Sequence, residues 1–87
     1  MTKPNIKVVT YEYELNIILI TVYPYENSNI KYNFWLNEKS DEIAESAEPQ
    51  PYPLLYSKIA AIIKLWWSSG YRDSMSIQEF FDKTEIS

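Results

Sequence analysis

The residues of this chain with chemistry to offer are carboxylates and tyrosines. Glu12 and Glu14, in "YEYE", stand two apart, a spacing that puts both on one face of a strand. Two carboxylates so placed are the raw material of glycoside hydrolysis, one giving a proton and one stabilising or attacking. A second group runs through "EKSDEIAESAE", residues 38–48, where Glu38, Asp41, Glu42, Glu45 and Glu48 face a single Lys39. The rest of the catalytic repertoire is missing. The chain has no histidine and no cysteine, which removes imidazole acid–base work, thiolate nucleophiles, disulfides and the usual zinc ligands. A single glycine, Gly70, rules out phosphate-cradling and dinucleotide loops. A carboxylate pair on an exposed edge is ordinarily just solvated, and a short chain leaves little room for a cleft. No enzyme activity, cofactor or metal is expected.

Charge narrows the binding classes. The formal net charge is −4, and residues 38–48 hold that excess by themselves. Such a segment is repelled by a duplex or an anionic membrane and attracted by a basic groove on another protein; its plainer meaning is a solvated connection. Tyr23, Tyr25 and Trp35 offer an aromatic platform of the kind that stacks on bases. Direct nucleic-acid binding nonetheless has no basic track behind it, Arg72 being the only arginine, so little counterion release is available to drive it. The same aromatics suit a protein interface, as anchors inside a polar rim.

These groups must be positioned by a small single domain, residues 1–87, which at this size buries only about 60% of its unfolded surface. Hydrophobic residues make up 46% of the chain, enough for a core without metal or disulfide. The apolar runs "NIILITVY" and "IAAIIKLWW" are too short or too interrupted to span a bilayer, and "MTKPNIK" lacks a signal peptide's apolar region. A cytoplasmic protein that avoids membranes is expected.

The β-branched and aromatic content from about residue 5 to 37 predicts three antiparallel strands, "IKVVTYEYE", "IILITVYPY" and "IKYNFWLN". Leu15 and Asn16 are the turn between the first two. In the third, Ile30, Tyr32, Phe34 and Leu36 alternate with Lys31, Asn33, Trp35 and Asn37, so Trp35 falls on the wet face. Residues 38–53 read as an acidic and then proline-rich connection, with Pro53 suited to a first helical turn. Helices follow at about 54–69 and 76–85. Gly70 is placed to end the first; Ser76 and Glu79 form a capping box that starts the second. The expected fold is α+β, a three-stranded sheet followed by two helices packed on one face. Helical stepping divides the first helix into two apolar faces, which directs Trp66 to the sheet and Trp67 to the last helix.

"KIAAIIKLWWSSGYRDSMSIQEFFDKTEI", preceded by "IILITVYPYENSNIKYNFWLN", is similar in order and style to small acidic anti-CRISPR inhibitors carried by phages. The nearest in style pack three strands against two C-terminal helices and block the DNA-binding site of the CRISPR nuclease. Those inhibitors begin with a helix and carry dense acids between their last two helices. Here the chain begins with a strand and the turn is "GYRDSMS", so no site residue is carried over by position. The resemblance implies a phage or mobile-element inhibitor of a host defence or nucleic-acid-handling protein.

The expectation is thus an acidic protein-binding module acting by steric block or nucleic-acid mimicry on a host protein or complex with a basic surface. Its expected site is Glu38, Asp41, Glu42, Glu45 and Glu48, with Trp35 and Tyr25 beside them as anchors and Tyr71 and Arg72 at the helix turn. The alternative is a structural or assembly subunit that binds through the aromatic sheet face, and a homodimer through that face is compatible with either.

Overall fold

The computed structural model describes residues 5–26 and 28–84. Four strands, β1 (Lys7–Glu14), β2 (Ile17–Tyr23), β3 (Tyr32–Asn37) and β4 (Glu42–Glu45), form an antiparallel sheet in the order β1-β2-β3-β4. Two helices follow, α1 (Pro53–Ser68) and α2 (Ile77–Lys83), joined through a 3-10 turn at Tyr71–Asp73. The α+β class and the helix pair agree with expectation. The strand count does not: the acidic stretch is not a connection but half of a hairpin.

The hairpin has a local cause. The Asn37 side-chain oxygen accepts from the backbone N–H groups of Lys39 and Ser40 at 3.0 and 3.1 Å, an Asx-type turn that reverses the chain. Asp41 completes it in the left-handed region, φ 60°. β4 then pairs Ile43 with Leu36 and Ala44 with Trp35. Pairing and the one inward isoleucine make a strand of a segment whose charge reads as linker.

The β1–β2 turn falls at Leu15–Asn16, with Asn16 at φ 65°. The register then shifts. Glu12 pairs with Ile18 but Glu14 with Ile17, so β1 has one residue more than β2 here and Tyr13 is a bulge. Because Ile17 and Ile18 point to opposite faces, so do Glu12 and Glu14. The carboxylate pair expected on one face is split by the bulge.

One face of the sheet carries Ile20, Val22, Tyr32, Phe34 and Leu36, all at most 1% exposed. They pack into a single core with Ile59, Ala60, Ile63, Trp66 and Trp67 of α1 and Ile77 and Phe81 of α2. Tyr56 lies flat on Phe34 with ring centroids 5.6 Å apart. Helix α1 opens with Pro53 in its first turn, where the missing N–H is no loss. Its last turn is closed by the Ser69 N–H donating to the Leu65 carbonyl, and Gly70 then turns the chain at φ 81°, a conformation glycine adopts without strain. Ser76 caps α2, its hydroxyl oxygen accepting from the Glu79 N–H at 3.2 Å.

Both tryptophans are core residues, and each has one further tie. The Trp66 indole N–H donates to the Met75 carbonyl at 3.0 Å, so Trp66 is the one tied to the segment leading into α2. Trp67 is covered by Arg72, whose guanidinium carbon sits 3.7 Å from the centre of its ring.

Gln78 of α2 reaches the outer edge of the sheet. Its Oε1 accepts from the Val8 N–H at 2.8 Å and its Nε2 donates to the Ile6 carbonyl at 3.1 Å. One side-chain amide thereby does for the start of β1 what a fifth strand would do.

Candidate functional site

Among the described residues no helix covers the second face of the sheet. The pleat assigns to it Lys7, Val9 and Tyr11 of β1, Ile17, Leu19, Thr21 and Tyr23 of β2, Asn33, Trp35 and Asn37 of β3, and Glu42 and Ala44 of β4. Its centre is one cross-strand row, Tyr11–Leu19–Trp35–Ala44. Leu19 is only 6% exposed although it points away from the helices. The side chains that flank it across the strands are Tyr11 and Trp35, so two aromatic rings roof a leucine on an otherwise open surface. Tyr11 is 51% and the bulged Tyr13 54% exposed. Val9, Tyr11 and Tyr13 make β1 a stripe of apolar surface facing water, while Asn33, Asn37, Glu42 and Glu14 supply polar groups around it.

Of the residues expected to form the site, Trp35 and Glu42 lie on this face, on adjacent strands. Tyr25 does not join them. It follows the far end of β2, and the length of the strand from Ile17 to Tyr23 sets it about 20 Å from the acidic hairpin at ~3.3 Å per residue. There it meets Tyr52 edge-on, ring centroids 5.2 Å apart, and with Lys7, Tyr23 and Glu26 walls a shallow hollow of about 430 Å³.

The acids divide into two groups. Glu45 is engaged at the surface by partners on α1, accepting from Lys64 Nζ at 3.1 Å and from the Tyr56 hydroxyl at 3.0 Å. Asp41 pairs with Arg72 at 3.3 Å, and Arg72 in turn lies on Trp67, so the acidic hairpin is pinned to the end of α1. Glu38, Glu42 and Glu48 form no ion pair among the described residues and project from an exposed backbone. Tyr71 is 43% exposed, with its ring centroid 5.0 Å from that of Phe80. Tyr71 and Arg72 therefore brace the helix turn while both remain exposed to solvent.

Two tyrosines have altered acidity. Tyr56 is pushed up to about 12, first by burial and then by its hydrogen bond to Glu45 and that carboxylate's charge. Tyr32 is also raised, chiefly by burial and secondarily by Tyr25 and Tyr52; its hydroxyl donates to the Pro51 carbonyl at 2.6 Å. Both hydroxyls serve as neutral donors that lash the β4 end and the proline segment to the core. Among the described residues no group of three or more acidic, histidine or cysteine side chains could hold a metal ion, and no helix is long and apolar enough to cross a membrane.

Compared with protein-family models, curated proteins and solved structures, the chain matches none of them. What the arrangement can do follows from its own side chains: a flat apolar patch with aromatic anchors and a polar rim is the composition of a protein-binding surface. Sequence reasoning singled out Trp35 but missed Val9, Tyr11, Tyr13 and Leu19. The signal was present in the odd-numbered apolar positions of "KVVTYEYE", which repeat the two-residue period already visible in β3.

Proposed function

We propose that this chain is a non-enzymatic protein-binding module that acts by occupying another protein's surface through the open face of its sheet. The observation that carries this reading is the Tyr11–Leu19–Trp35 row, an aromatic-roofed apolar surface left bare by both helices. Large aromatics at the centre of a patch supply most of the binding energy in protein interfaces. Glu14, Glu38 and Glu42 stand at one end of the face and favour a partner with basic residues at its rim, steering encounter more than adding affinity. The resemblance to phage-borne inhibitors supports the narrower form, an inhibitor of a host defence or nucleic-acid-handling protein by steric block.

A second reading, nucleic-acid mimicry by the acids, is favoured by one observation: Glu38, Glu42 and Glu48 form no ion pair among the described residues. Asp41 and Glu45 are already committed to Arg72 and Lys64, which leaves the mimic three carboxylates of the five expected.

The test uses the full chain as bait in three forms: wild type, a Tyr11→Glu/Trp35→Glu variant, and a Glu38→Gln/Glu42→Gln/Glu48→Gln variant. Docking by the face predicts a captured protein that the first variant loses entirely and the second retains, with slower association that depends less on salt. Loss by the second variant alone, together with capture abolished by moderate salt, establishes mimicry instead. A partner held equally by all three forms refutes both readings.

A further inference from the structure

We infer that the open sheet face accepts a second copy of this chain, docked face to face with its strands reversed. The inference rests on the reading of that face as a docking surface and names one occupant for it. What selects a second copy is the distribution of charge along β1. Lys7 stands on the open face at one end of the strand, paired in register with Tyr23. Glu14 stands on the same face at the other end, paired with Ile17.

Glu14 reaches that face only because of the bulge at Tyr13. In an unbroken strand an even-numbered residue would lie with Val8, Thr10 and Glu12 on the helix side. The bulge therefore converts β1 into a strand with a cation at one end and an anion at the other, both beside a bare apolar centre. The remaining sheet follows the same sense. Glu42 lies in the Glu14 row. Lys31 precedes β3 at the Lys7 end, where Glu26 is also found, accepting from the Asn5 amide at 3.4 Å.

A surface with opposite charges at its two ends is complementary to itself after a half-turn. Consider a two-fold axis in the plane of the face, perpendicular to the strands and passing between the Leu19 and Thr21 rows. It lays β1 antiparallel over its copy and sets Lys7 of one chain against Glu14 of the other, twice. Aligned sheets pack about 10 Å apart with interdigitating side chains, which buries Val9, Tyr11, Leu19 and Trp35 between the copies. Such an interface is isologous, and each residue's contact is made twice.

Its size sets its strength. Four strands spaced about 4.8 Å and a strand length of about 20 Å give a face of roughly 300–400 Å² per chain. This lies below the ~800 Å² per partner of a standard stable interface, so the dimer is weak and reversible. Edge-to-edge pairing is the competing geometry, and the β1 edge is closed to it: Gln78 occupies Ile6 and Val8, and the bulge interrupts the rest.

The experiment is sedimentation equilibrium of the full chain from about 10 μM to about 1 mM at low salt, a range that brackets weak association. Folding of each variant is checked by circular dichroism. The expected result is a weight-average mass that climbs from 10.3 kDa toward twice that value and falls back by several-fold weaker association in about 0.5 M salt. Lys7→Glu alone and Glu14→Lys alone should each return the chain to monomer, and the Lys7→Glu/Glu14→Lys double variant should restore the dimer. Trp35→Glu should abolish it.

A wild-type chain that stays monomeric throughout overturns the proposal. So does a dimer indifferent to Trp35→Glu, which would be edge-paired, or single charge reversals that the double variant fails to rescue. The docking reading itself is decided separately, by whether a captured partner is lost on Tyr11→Glu/Trp35→Glu substitution, so the two can fail independently.

Discussion

Replacing Gln78 by alanine should loosen the first strand of the sheet specifically. The side chain makes two hydrogen bonds to the backbone of Ile6 and Val8, at 3.1 and 2.8 Å, both partly buried. A net worth of about 0.5–1.5 kcal/mol per bond puts the loss at roughly 1–3 kcal/mol. Alanine returns a few tenths of a kcal/mol through its better helix propensity. Against a total stability of about 4–13 kcal/mol for a chain of this length, the change is large enough to measure. With a urea slope of about 1 kcal/mol/M, the unfolding midpoint should fall by roughly 1–2 M. Gln78→Met preserves the length of the stem but neither bond, and should behave like alanine. Amide exchange supplies the local readout: the Val8 N–H, protected in the wild type, should exchange many-fold faster in both variants while amides of β2 and β3 change only with global stability. An unchanged midpoint, or a Val8 amide that already exchanges freely in the wild type, would refute the reasoning that Gln78 seals this edge.

Ser76→Ala removes the hydroxyl that accepts from the Glu79 N–H and should cost about 1 kcal/mol, seen as a fall in melting temperature of about 4–8 °C. Alkaline pH should destabilise the fold through Tyr56. Its pKa is pushed up to about 12 in the folded chain, against about 10 unfolded, so between these values the unfolded state has lost a proton that the native state keeps. Its contribution is intact below pH ~10 and disappears as pH rises toward ~12. A urea midpoint measured across that window should decline, less steeply in Tyr56→Phe, and ultraviolet titration of the native protein should reveal a tyrosine that ionises late.

Much of the architecture is legible where local chemistry decides it. Gly70 and Ser76 bracket the helix turn because a left-handed residue and a side-chain cap are local requirements. Trp35 was assignable to the outer face because every second residue of β3 is apolar, and the same period in β1 exposes Val9 and Tyr11. The fourth strand was hidden because Glu42, Ala44 and Glu45 have poor strand character, and only pairing with β3 makes them a strand. The placement of Tyr25 depends on a loop whose path no periodicity records. The faces of Glu12 and Glu14 were misjudged for a different reason: one extra residue at Tyr13 reverses the alternation, and nothing in "TYEYE" announces it. The fates of the acids were likewise set by residues distant in sequence, Lys64 for Glu45 and Arg72 for Asp41.

The order of the elements along the chain has a consequence for how the protein is born. Each strand pairs with its immediate sequence neighbour, so the hairpins can close on the microsecond scale as soon as they are free. The helices that cover Ile20, Val22 and Phe34 are encoded afterwards. At about 5–20 residues per second, the stretch from Phe34 to the end of α1 takes roughly 2–7 s to synthesise. During that interval a nascent sheet has both of its faces bare and its first edge unguarded, since Gln78 comes later still. Completion of the last helix is thus also the moment at which the first strand stops being a template for other chains, and a chain truncated before Ile77 is the form in which aggregation should begin.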